Sequence, residues 1–478
     1  MSCCYAFRQW IRDLCRPVRG FMSQHWLWMA TLSVFILYFF IGGFMYNYCV
    51  LFVRLQEEFH YNAALTGWLG SLMLCLACLS SPVSIFLINR RSPRAVAATG
   101  VLICGIGTLV SSYMNDFFAL FFTFAIVYGI GANFVYQSTS TLLLMDHRGE
   151  ACIRCSGIAM TGSALGFMIL SPSLDNMITT LGWRYSFRVM AAIFLTICML
   201  SCVFLVQPEE EKIRQLREQL RRSAMIERSL FPGQCAPQDC KRIEIVRSRE
   251  MRLFFTGYLF SASAWAFYII HSARFATSVG LEAHSGALLV FVFAAMIVIG
   301  QYLLYAINKY LPFSRIYLLV LTNLVSAVAT FCFLFSRTMG QLVPLFIAMG
   351  LLTAVFQGAP YSAAVELFAD TRPSELSSLI MVSLGIGLIT GGPLAGGLFD
   401  RTGNYNATLL LVALLYVLST MLYIAIPIRR TLHTRKQRAL EARALARPSP
   451  PRLPGCRCHL MITGNNEQLS VFDNISTV

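Results

Sequence analysis

Charged residues are scarce in this chain. Asp, Glu, Lys and Arg make up only 13% of its 478 residues, whereas a soluble globular domain has about 25%. This scarcity excludes the roughly three soluble domains that the length alone would suggest. The sequence also lacks a P-loop, an HExxH motif, a GxSxG motif and paired buried carboxylates. We therefore expect a protein that is not an enzyme and that binds no cofactor.

The 16 cysteines lack the spacing of a disulfide framework or a zinc site. Most of them lie inside apolar runs, and the CxxC pair of Cys152 and Cys155 has no second pair or histidine cluster at zinc-like spacing. Residues 1–25 are polar and basic and give no sign of a cleavable signal peptide. We expect no metal site, and we expect the first apolar run to direct membrane insertion itself.

Hydrophobic residues are abundant, at 56% of the chain, and they form twelve apolar runs. Each run has about 20 or more residues, which as a helix crosses about 30 Å of hydrocarbon. Backbone groups in lipid must bond to one another within the segment, so each run is expected to be a helix. The predicted spans are Trp26–Tyr48, Leu65–Ile88, Ala95–Met114, Phe117–Leu143, Ser156–Leu181, Ser186–Val206, Leu253–Val279, Ser285–Asn308, Arg315–Phe335, Leu342–Phe368, Leu376–Phe399 and Ala407–Ile428.

A long polar segment divides the twelve runs into six and six. The predicted regions are an N-terminal tail 1–25, a first half 26–206, a cytosolic central loop 207–252, a second half 253–428 and a disordered cytosolic tail 429–478. The charge pattern of the central loop fits either a helix lying along the membrane or a flexible linker.

The two halves resemble each other in sequence. Four residues recur at one offset, 221 positions: Ser156, Gly166, Pro172 and Gly182 as Ser377, Gly387, Pro393 and Gly403. Together with the span count, this repeat predicts an all-α membrane protein with twelve transmembrane helices in two homologous six-helix halves. Such halves enclose a solute site between them, near the middle of the membrane.

The positive charge is distributed by side of the membrane rather than by domain. Of the 38 Lys and Arg residues, all but six fall on the side of the two termini, which predicts cytosolic termini. The six are Arg54, Arg184, Arg188, Arg274, Arg337 and Arg401. The net charge of +15 therefore does not indicate nucleic-acid binding. We expect a multi-pass protein of the plasma membrane whose basic residues 429–443 contact membrane lipid.

Several motifs resemble the monocarboxylate transporter family of the major facilitator superfamily. They are Trp26 and Trp28 at the first span, Gly182, Trp183 and Arg184 before the sixth, Ile270-His-Ser-Ala-Arg-Phe-Ala276 in the seventh, and Asp400, Thr402, Gly403 and Tyr405 in a D-x-T-G-x-Y sequence. The likeness runs in register from Trp26 to Ile428. The resemblance implies the major facilitator fold, carriage of small organic solutes and an ancillary membrane glycoprotein as a partner.

The sequence departs from that family at positions that bind and couple its substrates. The family's opening acidic residue is absent, and Tyr46 stands where proton-coupled lactate carriers have a lysine. Met296 and Gly300 stand where those carriers have an Asp and an Arg four residues apart. We therefore expect a secondary-active or facilitative carrier of a monocarboxylate or a related amphipathic or zwitterionic molecule, without strong proton coupling. The alternative is a transporter-derived sensor, scaffold or partner subunit with little transport.

Ionisable groups inside a span are costly to bury, which makes them candidates for function. Arg274 in the seventh span is suited to anchor a substrate carboxylate, or else it snorkels to the outer interface. His271, one turn below it, either binds substrate or makes a structural hydrogen bond. Asp175 has a similar predicted depth, so we expect it to pair with Arg274 as an outer gate. Polar groups suited either to a solute or to helix–helix hydrogen bonds are present at Tyr46, Asn47, Asn133 and Tyr136.

The chain ends in Ser476-Thr477-Val478, which resembles a ligand of PDZ domains. A ligand of this kind adds as a strand to an open sheet edge, and backbone N–H groups hold its terminal carboxylate. Val478 would fill an apolar pocket, and Ser476 would donate a hydrogen bond. We therefore expect a PDZ-domain scaffold as a partner; the alternative is an inert tail.

Overall fold

A computed structural model describes residues 29–146, 150–205, 249–281, 283–308, 314–368 and 373–445, almost all of them in helices. We label the long helices α1 Met29–Phe59, α2 Ala63–Ile88, α3 Pro93–Ser111, α4 Phe117–Leu143, α5 Glu150–Leu181, α6 Trp183–Phe204, α7 Arg249–Ile270, α8 Ala283–Asn308, α9 Arg315–Phe333, α10 Met339–Leu367, α11 Pro373–Thr402 and α12 Asn406–Leu445. The predicted N-terminal tail, most of the central loop, and Trp26, Trp28, Ser476 and Val478 lie outside the described residues.

The prediction of an all-α membrane fold is confirmed. Within the described residues, eleven helices are long and apolar enough to cross a membrane. The predicted fifth span lies within α5, whose 32 residues also exceed the length needed for about 30 Å of hydrocarbon. The described helices up to Pro427 form one compact unit, and the remainder of α12 from Ile428 belongs to a second.

The residues that recur between the halves occupy matching positions. Pro172 lies inside α5 and Pro393 lies inside α11. Gly182 and Gly403, which follow the last turns of these helices, have φ angles of 81° and 71°. A residue with a Cβ is strained in this left-handed region, so glycine is the residue that suits both turns. Corresponding helices in the two halves therefore end in the same way.

The first helix of each half has an interruption beside it or inside it: within α1 at Asn47, and directly after α7 at His271. At Asn47 in α1 the backbone has φ −77° and ψ 10°, and the side-chain Nδ2 donates to the Gly43 carbonyl oxygen at 2.8 Å. In the second half α7 is followed, after His271, by a further short helix Ser272–Ser278. The sequence predicted that the first span ends at Tyr48, whereas α1 continues to Phe59, because helical hydrogen bonding resumes after the turn at Asn47.

Two helix pairs join the halves, since α2 packs along α11 and α5 packs along α8. Glycines of α11 face α2 closely. A methyl group added to Gly392 would overlap Ser71 Oγ, and one added to Gly396 would lie 2.6 Å from the Ala63 carbonyl oxygen. Small residues of this kind let helix backbones approach each other. The start of α2 and the end of α11 are thus in contact, on the side that the loop charges predict to face outside, which we call the outer side.

Candidate functional site

An aromatic cluster of Tyr46, Phe167, Trp265 and Phe356 occupies the middle of the junction between the halves; we call it the central aromatic cluster. The ring centroids of Tyr46 and Trp265 are 6.1 Å apart, those of Tyr46 and Phe167 6.0 Å, and those of Trp265 and Phe356 5.3 Å. Trp265 Nε1 is buried and has no hydrogen-bond partner among the described residues. A buried indole N–H usually finds an acceptor, which makes this donor a candidate for a contact with solute.

Asn133, a candidate for solute binding, joins two helices of the first half. Its Nδ2 donates to the Ala77 carbonyl oxygen at 2.6 Å and to Ser81 Oγ at 3.1 Å. Its Oδ1 accepts the Ser84 hydroxyl. The amide is buried and both of its ends are bonded, so the structure favours the helix–helix alternative for this residue.

Asn47 and Tyr136 also make bonds between helices of the first half. Asn47 Nδ2 donates to the carbonyl oxygens of Gly43 at 2.8 Å and Phe167 at 3.1 Å, whereas its Oδ1 is buried without a partner in the described residues. The Tyr136 hydroxyl lies 3.1 Å from Ser163 Oγ. These contacts link α1 and α4 to α5. Of the four uncharged candidates, Tyr46 alone contacts a ring of the second half, that of Trp265.

His271 lies at the point where α2, α7 and α11 meet. Its Nε2 is 3.0 Å from the Gly392 carbonyl oxygen and its Nδ1 is 3.3 Å from the Tyr405 hydroxyl. The imidazole also packs edge-on against the ring of Phe52, with 5.1 Å between centroids. The side chain is fully buried. Both ring nitrogens are thus engaged by the protein, which favours the structural alternative over a direct contact with solute.

The pairing of Asp175 with Arg274 as an outer gate stays a prediction. The Arg274 guanidinium lies over the Phe399 ring, 5.8 Å from its centroid, and its buried Nε has no partner among the described residues. Asp175 lines a small cavity together with Arg54 and Ala273. The anchoring of a substrate carboxylate by Arg274 stays a prediction.

Two positions of α8 where the sequence departs from lactate carriers pack against α10. A methyl group on Gly300 would lie 2.7 Å from Ala354 Cβ, and one on Gly350 would lie 2.6 Å from Met296 Cβ. Close helix packing thus takes the place of the Asp and Arg that the resemblance would lead one to expect. The nearest polar group, Gln301, donates from Nε2 to the Gln357 side chain at 3.0 Å.

The buried interior of the described residues carries very little charge. Its fully buried polar side chains are hydroxyls, amides and His271, and none is an Asp, Glu, Lys or Arg. Gln301 adds an uncharged acceptor, because its buried Oε1 has no partner in the described part of the chain. The unpartnered polar groups of the central aromatic cluster and of α8 are therefore uncharged.

The Gly-Trp-Arg motif connects two helices within the first half. Trp183 Nε1 and Arg184 Nη1 donate to the two carboxylate oxygens of Glu58, at the end of α1. The Arg184 guanidinium also lies over the Trp183 ring, 4.5 Å from its centroid. Gly182, with its positive φ, allows the sharp turn from α5 into α6. Sequence reasoning missed Glu58, although the motif implied a partner for its arginine.

The D-x-T-G-x-Y motif connects the two halves. Asp400, in the last turn of α11, accepts the backbone N–H groups of Ala63 and Ala64 at 2.9 and 2.8 Å. These are the first residues of α2, whose N–H groups have no partner within the helix. Tyr405 follows the turn at Gly403 and reaches His271. Sequence reasoning found the motif but not this contact between halves, because the spacing along the chain carries no signal for it.

Comparison with known proteins shows what the chain is similar to. The family model of the Major Facilitator Superfamily matches residues 34–321 and 253–464. Monocarboxylate transporter 2 of Mus musculus is 24% identical over 82% of this chain and 83% of its own length. The Homo sapiens protein of the same name is 24% identical over 91% and 92%, and monocarboxylate transporter 10 of Rattus norvegicus is 23% identical over 87% and 80%. The resemblance read from the motifs is confirmed.

Proposed function

Because the chain belongs to the major facilitator superfamily and is a multi-pass membrane transporter, we propose that it carries a small organic solute by alternating access. The solute is a monocarboxylate or a related amphipathic or zwitterionic molecule. It crosses between the two halves, and the outer and inner ends of the junction open in turn. Its named relatives are monocarboxylate transporters, which supports this class of solute.

The central aromatic cluster is the observation that carries the proposal. It contains rings from both halves and presents the unpartnered Trp265 Nε1. An apolar surface with a small number of placed polar groups is typical of sites for small organic molecules. The cluster suits an apolar or aromatic solute body, and the indole N–H suits an oxygen acceptor such as a carboxylate or carbonyl.

Transport is driven mainly by the gradient of the solute itself. No Asp, Glu, Lys or Arg is among the fully buried residues of the described structure, and the protein engages both ring nitrogens of the buried His271. Both observations support this proposal, since proton relays in membrane proteins use acidic groups and histidines. Arg274 supplies a positive charge nearer the outer end, where an anionic solute would first meet the protein. Its unpartnered Nε supports a role as an anchor for a carboxylate.

We also propose an orientation in the membrane, a cellular membrane and two partners for this carrier. The distribution of Lys and Arg supports cytosolic termini. We place the carrier in the plasma membrane, with an ancillary membrane glycoprotein and a cytosolic PDZ-domain scaffold as partners. The family resemblance supports the first partner, and the sequence Ser476-Thr477-Val478 supports the second.

Solute uptake into proteoliposomes tests the proposed function. The purified chain should take up at least one member of a panel of monocarboxylates, aromatic carboxylates, zwitterions and neutral amides. Trp265→Phe should raise the KM for that solute, because it removes the indole donor and keeps the ring. Trp68→Phe is the matched control, since Trp68 lies exposed on α2. Absence of uptake across the panel, by protein that is folded, would favour the sensor or scaffold alternative.

A further inference from the structure

The last turn of α11 holds Asp400 in a fixed position. Thr402 Oγ1 donates to the Leu398 carbonyl oxygen at 2.7 Å, and the rings of Phe399 and Tyr405 stack with 4.4 Å between their centroids. These contacts lie on either side of Asp400 in sequence and fold the chain back on itself after the helix. The carboxylate therefore projects from a rigid corner of the second half.

The start of α2 has two caps, and they come from different halves. Asn62 Oδ1 accepts the Leu65 N–H at 3.0 Å, and this cap belongs to the same chain segment as the helix. Asp400 accepts the N–H groups of Ala63 and Ala64 from the other half. A carboxylate at a helix N-terminus is stabilised both by these hydrogen bonds and by the helix dipole. Asp400 thus adds to a helix end that Asn62 already stabilises.

We propose that Asp400 is a gating residue of the transport cycle, a latch that holds the outer ends of α2 and α11 together and releases when they separate. This inference rests on the proposed alternating-access function. On release, α2 keeps its Asn62 cap, and water hydrates the Asp400 carboxylate together with the freed N–H groups of Ala63 and Ala64. The latch is therefore strong enough to bias the outer-closed state and weak enough to open in each cycle.

From the latch towards the middle of the membrane, α11 packs closely along α2, so release of the latch would let these two helices separate over this length. Gly396 brings α11 against the Ala63 backbone, and Gly392 brings it against Ser71. Ser71 is fully buried, and its Oγ has no hydrogen-bond partner among the described residues. It lies eight residues into α2, about 12 Å along the helix from the latch. Solvent reaches Ser71 from outside only if the outer ends of the two helices part.

Ser71→Cys is therefore a reporter for opening of the outer side. The full-length chain is expressed in cells, and a membrane-impermeant maleimide labels it from outside; the chain with Ser71 intact gives the background of the native cysteines. Asp400→Ala should raise the labelling rate of the reporter about tenfold, since it removes two hydrogen bonds to a charged group. Asp400→Asn should raise it less, because the amide oxygen still accepts one N–H.

Glu58→Gln is the matched control. Like Asp400, Glu58 is an acidic residue on the outer side whose carboxylate accepts two hydrogen bonds. Both donors, Trp183 and Arg184, belong to its own half. Its loss should leave labelling of the reporter unchanged. If Asp400→Asn and Asp400→Ala reach the cell surface and leave labelling unchanged, or if Glu58→Gln raises it equally, Asp400 is no latch. The labelling assay needs no solute. Uptake with unchanged labelling therefore refutes the latch alone, and raised labelling without uptake supports the latch and contradicts the proposed transport of these solutes.

Discussion

Adjacent glycines near the end of α11 provide a direct test of how the halves meet. A methyl group added to Gly396 would lie 2.6 Å from the Ala63 carbonyl oxygen and 2.7 Å from Ala64 Cα. These are backbone atoms of the other half, which cannot rotate away as a flexible side chain can. A methyl group on Gly397 would have no heavy atom within 4 Å in the described structure. The two Gly→Ala substitutions thus add the same methyl group, at Gly396 in a closely packed position and at Gly397 in an open one.

The expected difference between the two variants follows from their surroundings. Both substitutions raise helix propensity by about 1 kcal/mol, because alanine replaces glycine inside a helix. Gly396→Ala also overpacks the contact with α2, which costs about 1–3 kcal/mol. The helix-propensity gain is common to both variants and to both states of the junction. Gly396→Ala should therefore shift the equilibrium towards the outer-open state by about 5- to 150-fold relative to Gly397→Ala.

The measurement combines maleimide labelling of Ser71→Cys with thermal unfolding in detergent. Gly397→Ala should label at the rate of the parent and should unfold at the same or a higher temperature. Gly396→Ala should label faster from outside and should unfold at a lower temperature than Gly397→Ala. Equal labelling and equal unfolding temperatures in the two variants would mean that α2 and α11 are not in close contact at this level, and the reasoning would be wrong.

Three further predictions concern the topology, the substrate and the tail. Epitope tags at both termini should bind antibody only after permeabilisation, whereas a tag between Asn115 and Asp116 should bind on intact cells. Arg274→Ala should abolish uptake of anionic solutes; normal uptake by both Arg274→Ala and Arg274→Lys would show that the residue merely snorkels. A peptide of residues 465–478 should bind PDZ domains, and amidation of Val478 should abolish binding; equal binding by both peptides would contradict the scaffold partner.

Much of the fold is predictable because the membrane imposes simple rules. The length of an apolar run decides whether it can span the hydrocarbon, and the backbone must then be helical. Gly182 and Gly403 could be matched from sequence because a left-handed turn restricts the residue type. The break of α1 at Asn47 was not predicted, since a single asparagine in an apolar run does not reveal whether the helix is interrupted there.

The candidate site was less predictable, because solute binding and helix packing use the same polar residues. Asn133 is a plausible solute ligand in sequence, yet its amide is fully bonded to α2 in the structure. Trp265 was overlooked, because an aromatic residue in an apolar run gives no sign that its N–H lacks a partner. The contact of Asp400 with Ala63 joins residues 337 positions apart, and no local pattern indicates it.

The last prediction concerns coupling to protons, and it follows from the hydrogen bonds of His271. His271 is the fully buried side chain of the described structure whose residue type ordinarily titrates near neutral pH, and it is therefore the first candidate for a proton carrier. However, Gly392 and Tyr405 engage its two ring nitrogens. A histidine that carries a proton through the cycle must exchange it with water, and this arrangement leaves neither nitrogen free to do so.

An inward proton gradient imposed on proteoliposomes should therefore change initial uptake by less than about twofold, since no relay group is free to carry the proton. His271→Gln should keep that insensitivity, because glutamine retains a donor and an acceptor for Tyr405 and Gly392. Uptake that rises steeply with the gradient in the parent and becomes insensitive in His271→Gln would contradict this prediction. In that case the bonds of His271 must open during transport, and the imidazole itself would carry the proton between the two sides.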